Sequence, residues 1–210
     1  MRLLSDPLPL RVAADLPRYR TEAAARVLPW VYGRVTLSPV PLDDAGLEWL
    51  VADHPVVAVE AVRSAGKAIE GWQLVQRLDE TGRAIATVRL TRAPEAELAV
   101  QVVGRRDDTS GALLEHPAAI AADLLRRCGW SPAADAFQGL RDDFPALALG
   151  MVFAERDTRV RAAIAQVIEP LGAVWVADPP TARRRAIGVP MATLMVLNVE
   201  RISAEATAGE

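Results

Sequence analysis

His54 and His116 are the only imidazoles in the chain, and each stands directly before a proline. The following proline biases both toward extended backbone. A metal site would need carboxylate or cysteine support at ligand spacing, and neither histidine has it. The acidic pairs Asp43-Asp44, Asp107-Asp108 and Asp142-Asp143 are adjacent in sequence. Acid–base catalysis needs two carboxylates in different environments, which neighbouring solvated residues lack. Ser64, Ser110 and Ser131 have no G-x-S-x-G context to expose a nucleophile, and no glycine pattern for phosphate or dinucleotide binding occurs. The single cysteine, Cys128, falls on the apolar face of a helical pattern and reads as core. The basic run Arg183-Arg184-Arg185 reads as a solvated loop rather than a phosphate site. These residues predict no catalytic, cofactor-binding or metal site, and no cofactor. Trp30, Trp49, Trp72, Trp130 and Trp175 are scattered along the chain, which suits core or subunit contacts better than a sugar-binding platform.

Composition narrows the class. Half of the 210 residues are hydrophobic, enough for a substantial core, and the net charge of −3 gives no general attraction to nucleic acid. One cysteine cannot form an internal disulfide, so no oxidising compartment is required. No apolar run reaches membrane-spanning length. The first twenty residues lack a signal-peptide core, and folding in a cytoplasm is expected.

The elements that must position any site begin with residues 113–176. Pro117 suits a first helical position. Ile120, Leu124, Leu125 and Cys128 form one helical face, Arg126 and Arg127 occupy the last turn, and Gly129 suits the left-handed stop. Ser131-Pro132 predicts a second helix with Ala133, Phe137, Leu140 and Phe144 inward. A third, capped by Asp157 or Thr158, buries Val160, Ile164, Val167, Ile168 and Leu171, and a strand follows at 173–176.

Upstream the pattern is β. Residues 28–35 read as one strand punctuated by Pro29 and Gly33. Alternation over 57–62, a turn at 64–67, a return strand at 68–75, and strands at 83–91 and 97–103 predict an antiparallel meander. The expected fold is α+β: an N-terminal antiparallel β sandwich or barrel, then a smaller helix–strand domain closed by C-terminal strands at 182–189 and 191–202. The expected division is an arm over 1–27, a β-rich domain over 28–104, a polar boundary at Gly104 to Gly111, an α+β domain over 112–202 and a flexible tail over 203–210. Within the arm, the proline-bearing residues 1–20 are expected to lie on a neighbouring subunit.

Several motifs, in this order, resemble tail-hub and tail-tip (baseplate) proteins of long-tailed bacteriophages and phage-like particles. LPWVYGRV resembles a short motif near the start of such proteins. VADHPVVAVEAVRSAGKAIEGW resembles the hairpin that follows, and DTRVRAAIAQVIEPLGAVWV a later helix and strand. LLEHPAAIAADLLRRCGW resembles the helix the family writes Asn-Pro-Ala-Asp-x-x-x-Asp-Leu-Leu. Here His116 replaces the Asn and Ala119 the first Asp. The likeness covers residues 28–176. It implies a non-enzymatic virion component in the hub ring at the distal end of the tail tube, assembled in the host bacterial cytoplasm. Its partners would be other tail-tip, tail-tube or hub proteins and further copies of itself, as a trimer or hexamer, with no specific nucleic-acid binding and no membrane span. The alternative reading is a tail-associated cell-wall-binding or peptidoglycan-degrading module.

Overall fold

A computed structural model describes residues 4–16, 19, 21–132 and 137–171. The fold is mixed, with antiparallel strands and three α-helices among the described residues. Among the described residues two compact units emerge: a β unit from 7–116 with 147–158, and a helical unit from 4–6, 117–146 and 159–171. The chain thus leaves the β unit after His116, comes back for twelve residues and leaves again.

Nine strands of the β unit follow one another: β1 (Trp30–Tyr32), β2 (Arg34–Leu37), β3 (Val40–Pro41), β4 (Glu48–Ala52), β5 (Ala58–Ser64), β6 (Lys67–Ala68), β7 (Trp72–Leu78), β8 (Ala84–Leu90) and β9 (Leu98–Val103). The tenth, β10 (Met151–Phe153), arrives with the returning segment. One sheet has the order β2-β9-β5-β6, a second β3-β4-β8-β7, and β1 pairs with β10 alone. One apolar core takes Leu37, Val59, Val62, Val100 and Val102 from the first sheet and Val51, Ala86, Val88 and Leu90 from the second.

Simple alternation misplaces two strands. A bulge between Val59 and Ala61 lets Val59 and Val62 both face the core, three residues apart, while Glu60 stays exposed. The expected return strand at 68–75 is broken. Lys67 and Ala68 pair with β5, and the chain then turns through Gly71 (φ +73°) into the other sheet as β7. The meander is therefore interrupted, because β5 pairs with β9 and not with β7. The single strand expected at 28–35 is likewise two, β1 and β2, divided at Gly33 (φ +59°).

Residues 7–28 correct the expected arm. Leu8, Ala13, Leu16 and Ala23 are buried within this chain. The segment pairs with itself, since Leu28 N–H donates to Arg11 O (2.8 Å) and Ala13 N–H to Arg26 O (2.8 Å). Ala13, Leu16, Ala23 and Leu28 join Val40, Leu42, Leu50 and Ile85 in a second cluster. That cluster covers the outer face of the β3-β4-β8-β7 sheet, so Leu50 and Ile85 are buried opposite the main core. The arm's apolar side chains lacked strand or helix periodicity because they cap a sheet from irregular backbone and short 3-10 turns at Ala13–Asp15 and Thr21–Ala23.

The boundary at Gly104 to Gly111 also moves. Arg105 accepts from Leu114 N–H (3.0 Å) through its carbonyl, Arg106 bridges Leu113, and Leu114 is buried. This polar stretch is a hairpin of the β unit, and the division falls after His116.

In the helical unit, α1 (Pro117–Arg127) ends as its sequence requires. Gly129 (φ +85°) donates to Arg126 O and Trp130 N–H to Leu125 O, the paired bonds of a Schellman stop. α1 packs on α3 (Val160–Ile168), which buries Val160, Ala163, Ile164, Val167 and Ile168. Neither Asp157 nor Thr158 caps α3. Its first amides, Val160 and Arg161, donate instead to the carbonyls of Asp6 (2.9 Å) and Leu4 (3.0 Å). The second helix is described as α2 (Gln138–Asp143), and residues 133–136, with Ala133, lie outside the described residues. Phe137, buried at φ +65°, cannot lie within a right-handed helix, so the run from Ser131 is interrupted there. The strands expected at 173–176, 182–189 and 191–202, the Arg183–Arg185 run, Trp175 and the tail lie outside the described residues.

Candidate functional site

Three backbone crossings hold the middle of the β unit. Gly33 N–H donates to Leu114 O (2.9 Å), Gly104 N–H to Gly33 O (2.7 Å), and Leu149 N–H to Glu115 O (2.7 Å). A Cβ on Gly33 would overlap the Leu149 carbonyl, and one on Gly150 the Arg34 carbonyl. One on Gly104 would come within 2.5 Å of the Val31 carbonyl. Only glycine permits main chains to approach so closely. Beside this crossing the Tyr32 and Phe153 rings pack edge to face, with centroids 5.9 Å apart.

His54 lies buried at the same place. Its Nε2 accepts from Val31 N–H (2.8 Å), and its Nδ1 is 2.7 Å from the Pro55 carbonyl. Those two bonds require the neutral ring with the proton on Nδ1. The imidazole serves as a connector between β1 and the loop after β4.

A buried ionic group ties the N-terminal segment to the sheet it covers. Arg11 donates from Nε to both carboxylate oxygens of Asp53 (3.0 and 3.1 Å), and its terminal nitrogens pair with Asp53 and Asp79. Asp79 Oδ1 also accepts from the Thr81 hydroxyl (2.6 Å) and from the amides of Thr81 (2.8 Å) and Arg83 (3.0 Å). All three charged residues are under a tenth exposed. Burial pushes the Asp79 carboxyl up, but the bonds from Thr81, Arg11 and the Arg83 amide outweigh it and hold the group well below the usual carboxylate range. Burial likewise opposes the Arg11 charge, and its hydrogen bonds to the two carboxylates override it and raise the guanidinium further. Because Arg11 bonds to both carboxylates, the group acts as a clasp between the N-terminal segment and the sheet.

The other polar candidates are similarly engaged. Asp43 accepts from the Leu47 and Glu48 amides, and Asp107 from those of Thr109 and Ser110. Ser64 exchanges bonds with the Ala96 main chain. Cys128 is buried, as its helical face required. Trp30 is buried, Trp72 packs on the core, and Trp49 donates to Gly46 O (2.8 Å). Among the described residues no His, Cys, Asp and Glu cluster could hold a metal ion, and no helix is long and apolar enough to cross a membrane. A cleft of about 290 Å³ is lined by Arg26, Val27, Pro29, Leu37, Val40 and Val152 among others. Arg26 donates there to the Ser38 and Pro39 carbonyls, and Ser38 Oγ to Glu97.

Sequence reasoning did not single out Arg11 and Asp79. A signal existed for both. Arg11 is a lone charge among Leu8, Leu10 and Val12, and Asp79 opens a turn in which Thr81 stands two residues on. Comparison of the chain with protein-family models, curated proteins and solved structures finds no match.

Proposed function

We propose that this chain is a structural subunit of the tail tip or baseplate of a long-tailed bacteriophage or related particle. In this reading it contributes to the hub ring at the distal end of the tail tube and carries out no chemical reaction. The observation that supports it is where the resembling motifs fall. LPWVYGRV supplies Gly33 and the β1 residues that other segments cross. VADHPVV supplies Asp53 and His54, one in the clasp and one joining β1 to the next loop. HPAAIAADLL is the buried helix α1. Asp53 and His54 of these motifs are engaged in holding the β unit together, which is what a particle component requires. Neighbouring tail-tip, tail-tube or hub proteins and further copies, in a trimer or hexamer, are the partners of this reading, and the virion tail is its location.

The test is made on particles. Mass spectrometry of purified tails from a host carrying the gene should detect the chain, and gold-labelled antibody should mark the distal tip. Deleting the gene should stop tail completion. Normal infectious particles without the chain would overturn the reading. Release of peptidoglycan fragments by the purified protein would favour the cell-wall-degrading alternative.

A further inference from the structure

Four strands end the two large sheets, and three of them are blunted. β6 has two residues, and β3 has two, one of them Pro41, with Pro39 just before. Beside β2, the backbone of Gly150 lies against the Arg34 carbonyl. These are the usual protections of a sheet edge. β7 has none of them. It runs seven residues in unbroken register with β8, and WQLVQRL contains no proline, glycine or lysine. Among the described residues no strand lies beyond it. Leu78 at its end is 66% exposed.

The direction of its free hydrogen-bonding groups follows from the pairing. Thr91 N–H donates to Gly71 O and Asp79 N–H to Arg83 O, so odd-numbered residues exchange bonds with β8. Trp72, Leu74, Gln76 and Leu78 therefore turn their N–H and C=O groups outward. One antiparallel self-pairing uses all of them, with Trp72 opposite the partner's Leu78 and Leu74 opposite the partner's Gln76. In that register Val75 meets the partner's Val75 on the two-fold axis as a close non-hydrogen-bonded pair. Sliding the register by two residues leaves outward groups unpaired at the ends. Apolar Trp72 and Leu78 meet on one face. On the other, Arg77 falls opposite the partner's Gln73 and is already neutralised by its own Glu48 (3.1 Å). The only like-charge approach is Glu70 with the partner's Glu80, beyond the strand ends.

We propose that two copies of this chain associate edge to edge through β7, joining their β3-β4-β8-β7 sheets into one continuous sheet across a two-fold axis. This inference stands independently of the virion reading, since it rests on the edge alone. The test is sedimentation equilibrium and oxidative cross-linking of the full chain. The native protein should dimerise reversibly, and Val75→Cys should form a disulfide-linked dimer under mild oxidation faster than Glu22→Cys, an exposed site away from the edge. Val75→Arg, which sets two cations on the axis, should abolish the dimer with an unchanged thermal melt. Glu80→Lys, which replaces the like-charge approach with an attractive one, should shift dimerisation to lower protein concentration. A native protein that stays monomeric, a dimer untouched by Val75→Arg, or equal cross-linking at the two cysteines would overturn the proposal. If Val75→Arg fails to fold, the Glu80→Lys shift decides: no change in association sinks the idea.

Discussion

Arg11 shows how a single residue can fix where a segment goes. Its guanidinium lies between two buried carboxylates, so removing it would leave two uncompensated charges rather than one lost bond. Arg11→Ala should lower stability by about 3–5 kcal/mol in a denaturant titration. Replacing Arg11, Asp53 and Asp79 together by apolar residues of similar size should cost far less. The pH dependence has a definite sign. The folded Asp79 sits below its unfolded value of about 3.9, so its contribution is complete above roughly pH 4 and declines as pH falls toward the folded value. The Arg11 shift is upward, so its contribution is complete below its unfolded value and fades only in strong alkali. Thermal melts should fall on acidification below about pH 4, and the fall should be smaller in the apolar triple variant.

Among the elements, the glycine crossing and the N-terminal cover do most to define the β unit. Gly33→Ala places a side chain at positive φ, at about 1–3 kcal/mol, and drives its Cβ into the Leu149 carbonyl at further cost. Gly150→Ala meets the Arg34 carbonyl without any φ penalty, so comparing the two variants by denaturant unfolding separates overlap from backbone strain. Alanine at Gly66, where a Cβ meets nothing within 4 Å, should show the φ cost alone. The cover behaves differently from a frayed terminus. Deleting residues 1–16 removes Leu8, Ala13 and Leu16 along with Arg11, and strips Leu50 and Ile85 of their outer packing. Each buried leucine is worth about 1.5–3 kcal/mol. The truncated chain should lose its cooperative melt and bind a hydrophobic dye.

For the molecule as a whole, the chain path governs what can be cut away. β10 comes from residues 147–158, and it is the partner of β1. A fragment ending at His116 keeps nine strands but leaves Trp30, Val31 and Tyr32 without their register partners Phe153, Val152 and Met151. It should fail to unfold as one cooperative transition by circular dichroism. Adding 147–158 through a short linker after His116 should restore that transition.

Much of this was legible in the sequence where the deciding forces are local. The extent of α1 follows from a proline start, a 3.6-residue apolar stripe and a glycine stop. The turn at 64–67 follows from its Ser and Gly residues. The buried stripe of α3 was equally plain up to Ile168, while Leu171 falls in a following 3-10 turn and is only half-buried. What the tertiary structure decided is everything that depends on partners distant in the chain. The amides at the start of α3 are satisfied by the carbonyls of Leu4 and Asp6, more than 150 residues upstream, so no cap residue was needed in sequence. The crossing to a second sheet at Gly71 and the bulge in β5 change which residues face inward without altering composition. Residues 7–28 became a sheet cover because Leu50 and Ile85 needed an apolar neighbour and Asp53 and Asp79 needed a cation. Such burial has no periodicity of its own, and only the assembled sheet defines it.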